Sequence, residues 1–398
     1  PATILAAGPC ILENVPNILD TSVIIKILHE MGAHIRYLDK NTVEIDTTRI
    51  NSHVVPYEMA RHLRASYYLL GALIGRFGKA KVSLPGGCNF GVRPIDQHIK
   101  GFESLGAEVS IANGMVSVRA DSLYGAPIFL DVVSVGATMN IMLSAVKTKG
   151  LTVIENAAKE PHIVDLANFL NSMGADVRGA GTDVIKIRGV DRLHGTGYSI
   201  IPDQIEAGTY MVAAAATRGD VWVKNIIPKH LEPITNKLRK MGVDVTEYDE
   251  SVHVRRTGEL LRTNVKTLPH PGFPTDMQPQ MTTLLTLARG TSIVTEGVWD
   301  NRFRYVDELH RMGASIQVDG KVAVVEGKGY LTGAPVKAPD LRAGAALVIA
   351  ALAAEGVTEI EETYHVERGY EEIEKKLRGL GADIKKIDIP SEVLPTAL

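Results

Sequence analysis

The sequence is poor in the residues on which several classes of protein depend. It has two cysteines, Cys10 and Cys88, in 398 residues, so it offers no disulfide framework, and a reducing compartment, the cytoplasm, is expected. Only 5% of the residues are aromatic, which disfavours a platform for stacking nucleic-acid bases. The 43 basic and 46 acidic residues give a net charge of −3, which provides no general attraction to nucleic acid or to an anionic membrane.

Long apolar runs and metal-ligand patterns are missing as well. The longest apolar stretch, residues 343–354, is too short to span a bilayer and is typical of a buried helix. The histidines show no spacing that would hold a metal, and the two cysteines lie 78 residues apart. We therefore predict neither membrane insertion nor a metal site.

The sequence does contain an internal repeat. Six glycines each follow an apolar-striped helix pattern and precede two short alternating strands, namely Gly32, Gly106, Gly174, Gly242, Gly313 and Gly381. Their spacings are 74, 68, 68, 71 and 68 residues. Such regularity indicates a fold built from similar units, in which a single unit cannot bury its own helical faces.

The second copy illustrates the unit. Residues 57–77 have helical composition, and a second helix has one apolar face formed by Ile95, Ile99, Phe102 and Leu105. Gly106 follows that face, where the end of a helix favours a left-handed residue. Asn113-Gly114, between alternating strands, predicts a tight hairpin. We predict an α/β protein with two domains of three repeats each, residues 1–200 and 201–398.

The starts of the first helices in the repeats are rich in small, hydroxyl and acidic residues. Free backbone N–H groups at such positions are suited to phosphate, although the same residues also serve as ordinary helix caps. Arg64 and Arg342 recur at this place in copies two and six, which favours anion binding over capping alone. With Arg93, Arg302 and Arg368 they form a set of five arginines in loops or helix starts, as expected for a polyanionic ligand.

A glycine-rich loop, residues 85–94, is the second candidate site. It lacks the Lys-Ser/Thr pair of a phosphate-binding P-loop. Cys88, five residues before Arg93, is a candidate reactive thiol, and a purely structural cysteine is an equal alternative on these residues alone. Cys10 lies within an apolar strand pattern and is expected to be an inert core residue.

At these positions the sequence closely resembles the UDP-N-acetylglucosamine enolpyruvyl transferases (1-carboxyvinyltransferases) of peptidoglycan synthesis. The Gly-Gly-Cys loop and the Pro-Thr-Asp-Met segment are the most specific matches. The matching segments run in family order over nearly the whole chain, at residues 64–66, 84–96, 134–138, 155–158, 273–278, 301–303 and 368–370. The resemblance implies the enolpyruvyl transferase fold, a two-domain inside-out α/β barrel built from six βαβαββ-type repeats, with the active site in the cleft between the domains.

The resemblance also implies an activity: transfer of the enolpyruvyl group of phosphoenolpyruvate to the 3′-hydroxyl of UDP-N-acetylglucosamine, with release of phosphate, as the first committed step of peptidoglycan synthesis. It makes Cys88 the acid and Asp276 the base. It assigns the binding of phosphoenolpyruvate to Arg93, Arg342 and Arg368. Around the nucleotide sugar it places Arg64, Arg93, Pro94, Ile95, Asp96, Gln97, Ser134, Val135, Gly136, Asp276 and Val298. It implies no metal, no organic cofactor and no partners beyond these two small-molecule substrates.

Two departures from the family pattern affect these expectations. Val132 and Val133 precede Ser134, where some members have a lysine, so one contact to the diphosphate is missing. The family also begins with a strand and a Ser-Gly-Ala-Lys-Asn segment, whose lysine contacts phosphoenolpyruvate and whose asparagine contacts the sugar. Only seven residues precede Gly8, so the first repeat is predicted to be incomplete.

Two other functions stay open at this point. The chain could be a catalytically silent or fragmentary paralogue that binds a sugar nucleotide. It could also be a 5-enolpyruvylshikimate-3-phosphate synthase, which shares the fold but has no cysteine loop of this kind. Release of phosphate from phosphoenolpyruvate that depends on UDP-N-acetylglucosamine separates these three functions.

We predict that the chain as printed is nearly inactive, and that adding the codons upstream of Pro1 restores turnover. A charged contact to the substrate contributes about 1.5–3 kcal/mol, so its absence should weaken phosphoenolpyruvate binding by tenfold or more. Turnover and melting temperature of the printed and extended chains provide the comparison. Equal activity in the two would contradict the prediction.

Overall fold

The structure, a computed structural model, describes residues 1–61, 63–84 and 95–387. Up to residue 200, the first half, helices alternate with short strands. The helices are α1 (Leu19–Glu30), α2 (Tyr57–Ala60), α3 (Tyr68–Phe77), α4 (Asp96–Ser104), α5 (Val135–Ala145) and α6 (Pro161–Ser172). The strands are β1 (Cys10–Glu13), β2 (His34–Tyr37), β3 (Val43–Asp46), β4 (Lys79–Ser83), β5 (Glu108–Ala112), β6 (Met115–Arg119), β7 (Pro127–Phe129), β8 (Leu151–Glu155), β9 (Asp176–Arg178), β10 (Val184–Arg188) and β11 (Gly197–Ser199).

The second half, residues 201–387, continues the alternation. Its helices are α7 (Gln204–Ala216), α8 (Glu232–Lys240), α9 (Gln278–Thr286), α10 (Val306–Arg311), α11 (Leu341–Ala353), α12 (Tyr364–Glu367) and α13 (Ile373–Gly379). Its strands are β12 (Asp220–Lys224), β13 (Asp244–Glu247), β14 (Ser251–Arg255), β15 (Val265–Lys266), β16 (Gly290–Thr295), β17 (Ser315–Asp319), β18 (Val322–Gly327), β19 (Leu331–Thr332), β20 (Pro335–Lys337), β21 (Ala354–Glu355) and β22 (Glu359–Glu361).

Five copies of the repeat each form a small sheet, and the five sheets have the same strand order. In each, one strand pairs antiparallel with the second strand of the hairpin that follows it, which gives the orders β1-β3-β2, β4-β6-β5, β8-β10-β9, β12-β14-β13 and β16-β18-β17. In the sixth copy β22 pairs parallel with β20, as β8 does with β7 and β16 with β15. Residues 382–387 form no strand, and the rest of its predicted hairpin lies outside the described residues. The predicted repeat is therefore confirmed in copies one to five.

The pivot glycines have the backbone that the repeat predicts. Their φ angles are +106°, +93°, +99°, +84°, +86° and +97° in chain order, a left-handed region in which an L side chain is strained. Asn113 and Gly114 also have positive φ, +51° and +71°, between β5 and β6. That pair of angles matches a hairpin turn whose twist suits the flanking strands, and the predicted turn is confirmed.

Helices α3, α5, α7, α9 and α11 lie inside and the sheets outside. Every residue of α9 is buried, and α9 packs against α7 and α11 in the second half. In the first half α3 packs against α5, where a Cβ on Gly71 would lie 2.4 Å from the backbone oxygen of Asn140. The strands alternate between buried and more exposed positions, as in β14, so the sheets have one face towards the helices. This is the inside-out arrangement expected from the sequence.

The buried apolar residues form separate clusters on the two sides of residue 200 in the sequence. One large cluster is drawn from residues 205–350, and two further clusters are drawn from residues 2–193. This separation agrees with the domain boundary near residue 200, which stays a prediction. Among the helices of the described ranges, none is long and apolar enough to cross a membrane.

Gly242→Ala should destabilise the protein through its backbone alone. A Cβ at Gly242 would meet its nearest neighbour, the Glu259 oxygen, at an ordinary 3.5 Å, so no clash is expected. The left-handed φ should cost about 1–2 kcal/mol for an alanine. Urea unfolding would measure the loss, with Gly258→Ala as the matched control, because a Cβ at Gly258 would meet no atom within 4 Å and its φ is not positive. Equal unfolding free energies for the two variants would contradict the argument.

Candidate active site

The starts of four helices carry most of the predicted site residues that the structure describes. In the second half, Asp276 lies in a 3-10 turn, Thr275–Met277, which leads directly into α9, and Arg342 is the second residue of α11. In the first half, Asp96 and Gln97 open α4. Ser134 caps α5, where its hydroxyl oxygen accepts a hydrogen bond from the Ala137 N–H at 3.3 Å.

The carboxylate of Asp276 lies between two arginines. Arg302 donates from Nη2 to Oδ1 at 3.2 Å, and Arg342 donates from Nε to Oδ2 at 3.3 Å, with its Nη2 at 3.2 Å from the same oxygen. The Arg302 residue is 3% exposed, whereas the Asp276 side chain retains 41% exposure. The carboxylate is therefore held from the protein side and remains open to a ligand.

The charges in this cluster set its protonation. Burial acts to raise the pKa of the Asp276 carboxyl, but the positive charges of Arg342 and Arg302 outweigh it and hold the pKa below its usual value. Burial acts to lower the pKa of Arg342, and the Asp276 carboxylate outweighs that effect and raises it. At neutral pH the carboxylate is thus ionised between two cations.

A buried polar network supports Arg342 from the protein interior. The hydroxyl of Tyr370, a residue 1% exposed, lies 2.9 Å from Thr209 Oγ1 in α7 and 3.4 Å from Arg342 Nη1. Gln280 in α9 donates to the same hydroxyl at 3.4 Å. Burial raises the pKa of Tyr370, so its hydroxyl stays protonated and neutral. Residues from α7, α9 and α11 therefore meet at one hydroxyl behind the arginine.

Arg368, the third predicted substrate-binding arginine, binds a different carboxylate. Its Nε and Nη2 donate to the two oxygens of Asp20, at 2.9 Å and 3.1 Å. Asp20 belongs to α1 of the first half, so this two-pronged ion pair connects the halves. Lys40 adds a second connection, at 3.0 Å from Glu371. An anionic ligand would have to compete with Asp20 for Arg368.

Gln97 organises the first-half group. It accepts a hydrogen bond from the Asp131 N–H at 2.9 Å, and its amide donates to the side chains of Asp131 and Asp96 at 3.1 Å and 2.8 Å. At Gly136, a Cβ would lie 2.7 Å from His98 Nε2, so α4 and α5 can approach this closely only with glycine there. These contacts connect the predicted residues of α4 to the start of α5.

Arg64 lies where the predicted helix over residues 57–77 is interrupted. That single helix was wrong, because α2 ends at Ala60 and α3 begins at Tyr68 after a 3-10 turn. Ser66 donates its hydroxyl to the carbonyls of Ala60 and Leu63, at 3.0 Å and 2.6 Å, which competes with regular helix bonding. The Arg64 guanidinium, which lies in this interruption, is 5.1 Å from the centre of the Trp299 ring. Trp299 follows Val298 in the second half of the chain.

Three predicted site residues are not described by the structure, and some observed contacts were not predicted from the sequence. Cys88, Arg93 and Pro94 lie outside the described residues, so their roles stay predictions. Cys10 is fully buried, and burial raises the pKa of its thiol, in keeping with an inert residue. Arg302 belonged to the arginine set of the sequence but was not assigned to a substrate, and the sequence contained no signal for Asp20. Within the described ranges, no group of three or more His, Cys, Asp or Glu side chains is placed to hold a metal.

Comparison with known proteins identifies the family. The profile of the EPSP synthase (3-phosphoshikimate 1-carboxyvinyltransferase) family matches residues 2–377. UDP-N-acetylglucosamine 1-carboxyvinyltransferase 3 of Caldanaerobacter subterraneus subsp. tengcongensis is 58% identical over 387 residues, 97% of this chain and 93% of that protein. The chain belongs to the UDP-N-acetylglucosamine 1-carboxyvinyltransferase family. The member of this family from Clostridium botulinum is likewise 58% identical, over 388 residues, with the same shares covered.

Solved structures agree with the fold of this carboxyvinyltransferase. The enolpyruvyl transferase NikO from Streptomyces tendae superposes with a TM-score of 0.86 at 29% identity, over 96% of this chain and 92% of NikO. EPSP synthase from Acinetobacter baumannii superposes with a TM-score of 0.73 at 19% identity, over 95% and 92% of the chains, and at that identity shows the fold alone. The enolpyruvyl transferase fold expected from the sequence is confirmed.

Arg64→Gln should loosen the Trp299 side chain of this carboxyvinyltransferase. Trp299 is one of two tryptophans, so a Trp222→Phe background makes it the only tryptophan fluorophore. A cation over an exposed ring contributes about 0.5–1 kcal/mol, and its loss should increase quenching of Trp299 by acrylamide. Arg61→Gln is the matched control, since Arg61 lies 5.8 Å from the ring centre of Tyr57 instead. Equal quenching in the Arg64 and Arg61 variants would contradict the contact.

Proposed function

We propose that the protein transfers the enolpyruvyl group of phosphoenolpyruvate to the 3′-hydroxyl of UDP-N-acetylglucosamine and releases phosphate. The observation that carries the proposal is the ionised Asp276 carboxylate between Arg302 and Arg342, at a convergence of helix starts. It occurs in a chain whose relatives at 58% identity are named UDP-N-acetylglucosamine 1-carboxyvinyltransferases. We further propose that the reaction takes place in the cytoplasm.

The reaction needs an acid, a base and cations. Cys88 donates a proton to the methylene carbon of phosphoenolpyruvate, and positive charge develops on the neighbouring carbon, which the sugar oxygen attacks. Asp276 takes the hydroxyl proton of the sugar. Arg342, Arg368 and Arg93 hold the carboxylate and phosphate of phosphoenolpyruvate. The carbon–oxygen bond to phosphate then breaks, and the methyl carbon formed in the first step returns a proton to the Cys88 thiolate, which restores the double bond. The hydroxyl proton taken by Asp276 leaves with the phosphate.

The pairing of Asp276 couples its basicity to the arrival of substrate. With Arg342 and Arg302 against it, the carboxylate has a low pKa and is a weak base. When the Arg342 guanidinium turns towards the anionic groups of phosphoenolpyruvate, its positive charge moves away from Asp276, and the pKa of the Asp276 carboxyl rises. The base then becomes stronger only when there is a substrate to act on.

The nucleotide sugar lies between the two halves in this proposal, and the halves, residues 1–200 and 201–398, act as domains that close on it. Two contacts across the halves support that location: Arg64 over Trp299 and Arg368 with Asp20. The start of α5, opened by Ser134, Val135 and Gly136, presents backbone N–H groups suited to the diphosphate. Arg64 and the residues Ile95, Asp96, Gln97 and Val298 complete the sugar-nucleotide site.

The decisive assay is phosphate release from phosphoenolpyruvate by protein expressed from its complete coding region. Release that requires UDP-N-acetylglucosamine supports the proposal, whereas release that requires shikimate 3-phosphate indicates the sister activity. Nucleotide-sugar binding without turnover indicates a silent paralogue.

Asp276→Asn should fold and melt normally and should lower kcat about 10²–10⁴-fold, because it removes the proton acceptor and keeps the shape. Cys88→Ala should abolish turnover, and Cys88→Asp should retain part of it, because it still carries a proton donor.

Arg302→Gln should shift the pH profile of turnover. A base acts above its pKa, so activity is lost as pH falls through the pKa of Asp276. Removing the Arg302 charge raises that pKa, so the acidic limb of kcat/KM should move to higher pH. Arg304→Gln, in the same turn but exposed, is the matched control and should leave the limb in place. A limb that stays in place in the Arg302 variant would argue against Asp276 as the base.

A further inference from the structure

A buried carboxylate lies behind the Asp276 cluster. Glu296 directly follows β16 and is 1% exposed. Its Oε1 accepts hydrogen bonds from Thr267 Oγ1 at 2.8 Å, Val298 N at 2.8 Å and Trp299 N at 3.1 Å. The Thr275 hydroxyl lies 3.1 Å from both carboxylate oxygens. Four neutral donors therefore surround this buried carboxylate.

These donors come from three separate segments. Thr275 precedes Asp276, Thr267 follows β15, and the remaining two donors belong to the segment 297–299. Thr267 strengthens the arrangement, because its hydroxyl oxygen also accepts a hydrogen bond from Gly297 N at 2.8 Å. The same carboxylate thus fixes the turn that carries Asp276 and the segment that carries Val298 and Trp299. Trp299 in turn lies under Arg64 of the first half.

We propose that Glu296 is a positioning residue for the transfer reaction. Its carboxylate sets the distance between Asp276 and the Val298–Trp299 segment, so the sugar hydroxyl and its proton acceptor are placed by one side chain. The inference rests on the proposed function, in which Asp276 is the base and Val298 contacts the nucleotide sugar. Glu296 touches no substrate in this proposal and acts through its neighbours.

The charge of the Glu296 carboxylate strengthens the hydrogen bonds that it accepts. A carboxylate accepts hydrogen bonds at both oxygens, whereas the amide of a glutamine places two donors where one oxygen had been. In Glu296→Gln the amide nitrogen takes the place of Oε2, where the Thr275 hydroxyl can accept from it, and the bonds from Thr267, Val298 and Trp299 go to a neutral oxygen instead of a charged one. A hydrogen bond to a charged acceptor is stronger than one to a neutral acceptor by about tenfold in an equilibrium constant, so the two segments should be held less firmly relative to each other.

The test compares three variants of protein expressed from its complete coding region. Thr275→Val breaks only the link to the Asp276 turn, so kcat should fall about tenfold while KM for UDP-N-acetylglucosamine changes by less than about twofold. Thr267→Val loosens only the 297–299 segment, so KM for UDP-N-acetylglucosamine should rise about tenfold with kcat largely retained. Glu296→Gln should do both. Glu326→Gln, an exposed glutamate of β18 hydrogen-bonded to Ser315, is the matched control and should change neither constant.

The split between kcat and KM separates positioning from stability. If the three variants have lower melting temperatures but unchanged kcat and KM, Glu296 is a structural residue and the inference is overturned. Thr275→Val and Thr267→Val both keep the Glu296 carboxylate. These two variants therefore still test whether Glu296 positions the site if Glu296→Gln fails to fold. If the unmodified protein releases no phosphate, the proposed function itself has failed, and this outcome differs from active protein whose variants show no split.

Discussion

The need of each repeat to bury a helix that it cannot cover alone determines the architecture. The central helices α7, α9 and α11 share one interior in the second half, and α3 and α5 do so in the first, while the sheets face outwards. Because the helices of one half pack side by side, their starts come close together. Tyr370 marks this convergence, since its hydroxyl meets residues of α7, α9 and α11.

That convergence creates the electrostatics of the site. Helix starts present free N–H groups and partial positive charge, which favour anions. Asp276 places a carboxylate among them, and Arg302 and Arg342 keep it ionised. The carboxylate compensates the charge of the buried Arg302 and of Arg342, whose side chain is 15% exposed. In the proposed function the cluster changes when phosphoenolpyruvate draws Arg342 away.

Several polar contacts join the halves among the described residues. Asp20 with Arg368, Lys40 with Glu371, and Arg64 over Trp299 join segments that are far apart in the chain. A partly exposed ion pair such as Lys40 with Glu371 contributes little net stability. Such a pair can be exchanged for contacts to a ligand at small cost, as the domain closure proposed above requires.

The sequence alone determined the repeat, its hairpins and its pivots, because these depend on local rules: helical periodicity, the left-handed glycine after a helix, and Asn-Gly turns. It also pointed to Asp276, Arg342 and Arg368 through motif resemblance. The carboxylate that each arginine meets was decided only by the tertiary structure. Asp20 and Arg368 lie 348 residues apart, and the four donors around Glu296 come from three segments. No local pattern records such pairings, because packing of separate repeats, and not sequence spacing, brings the charges together.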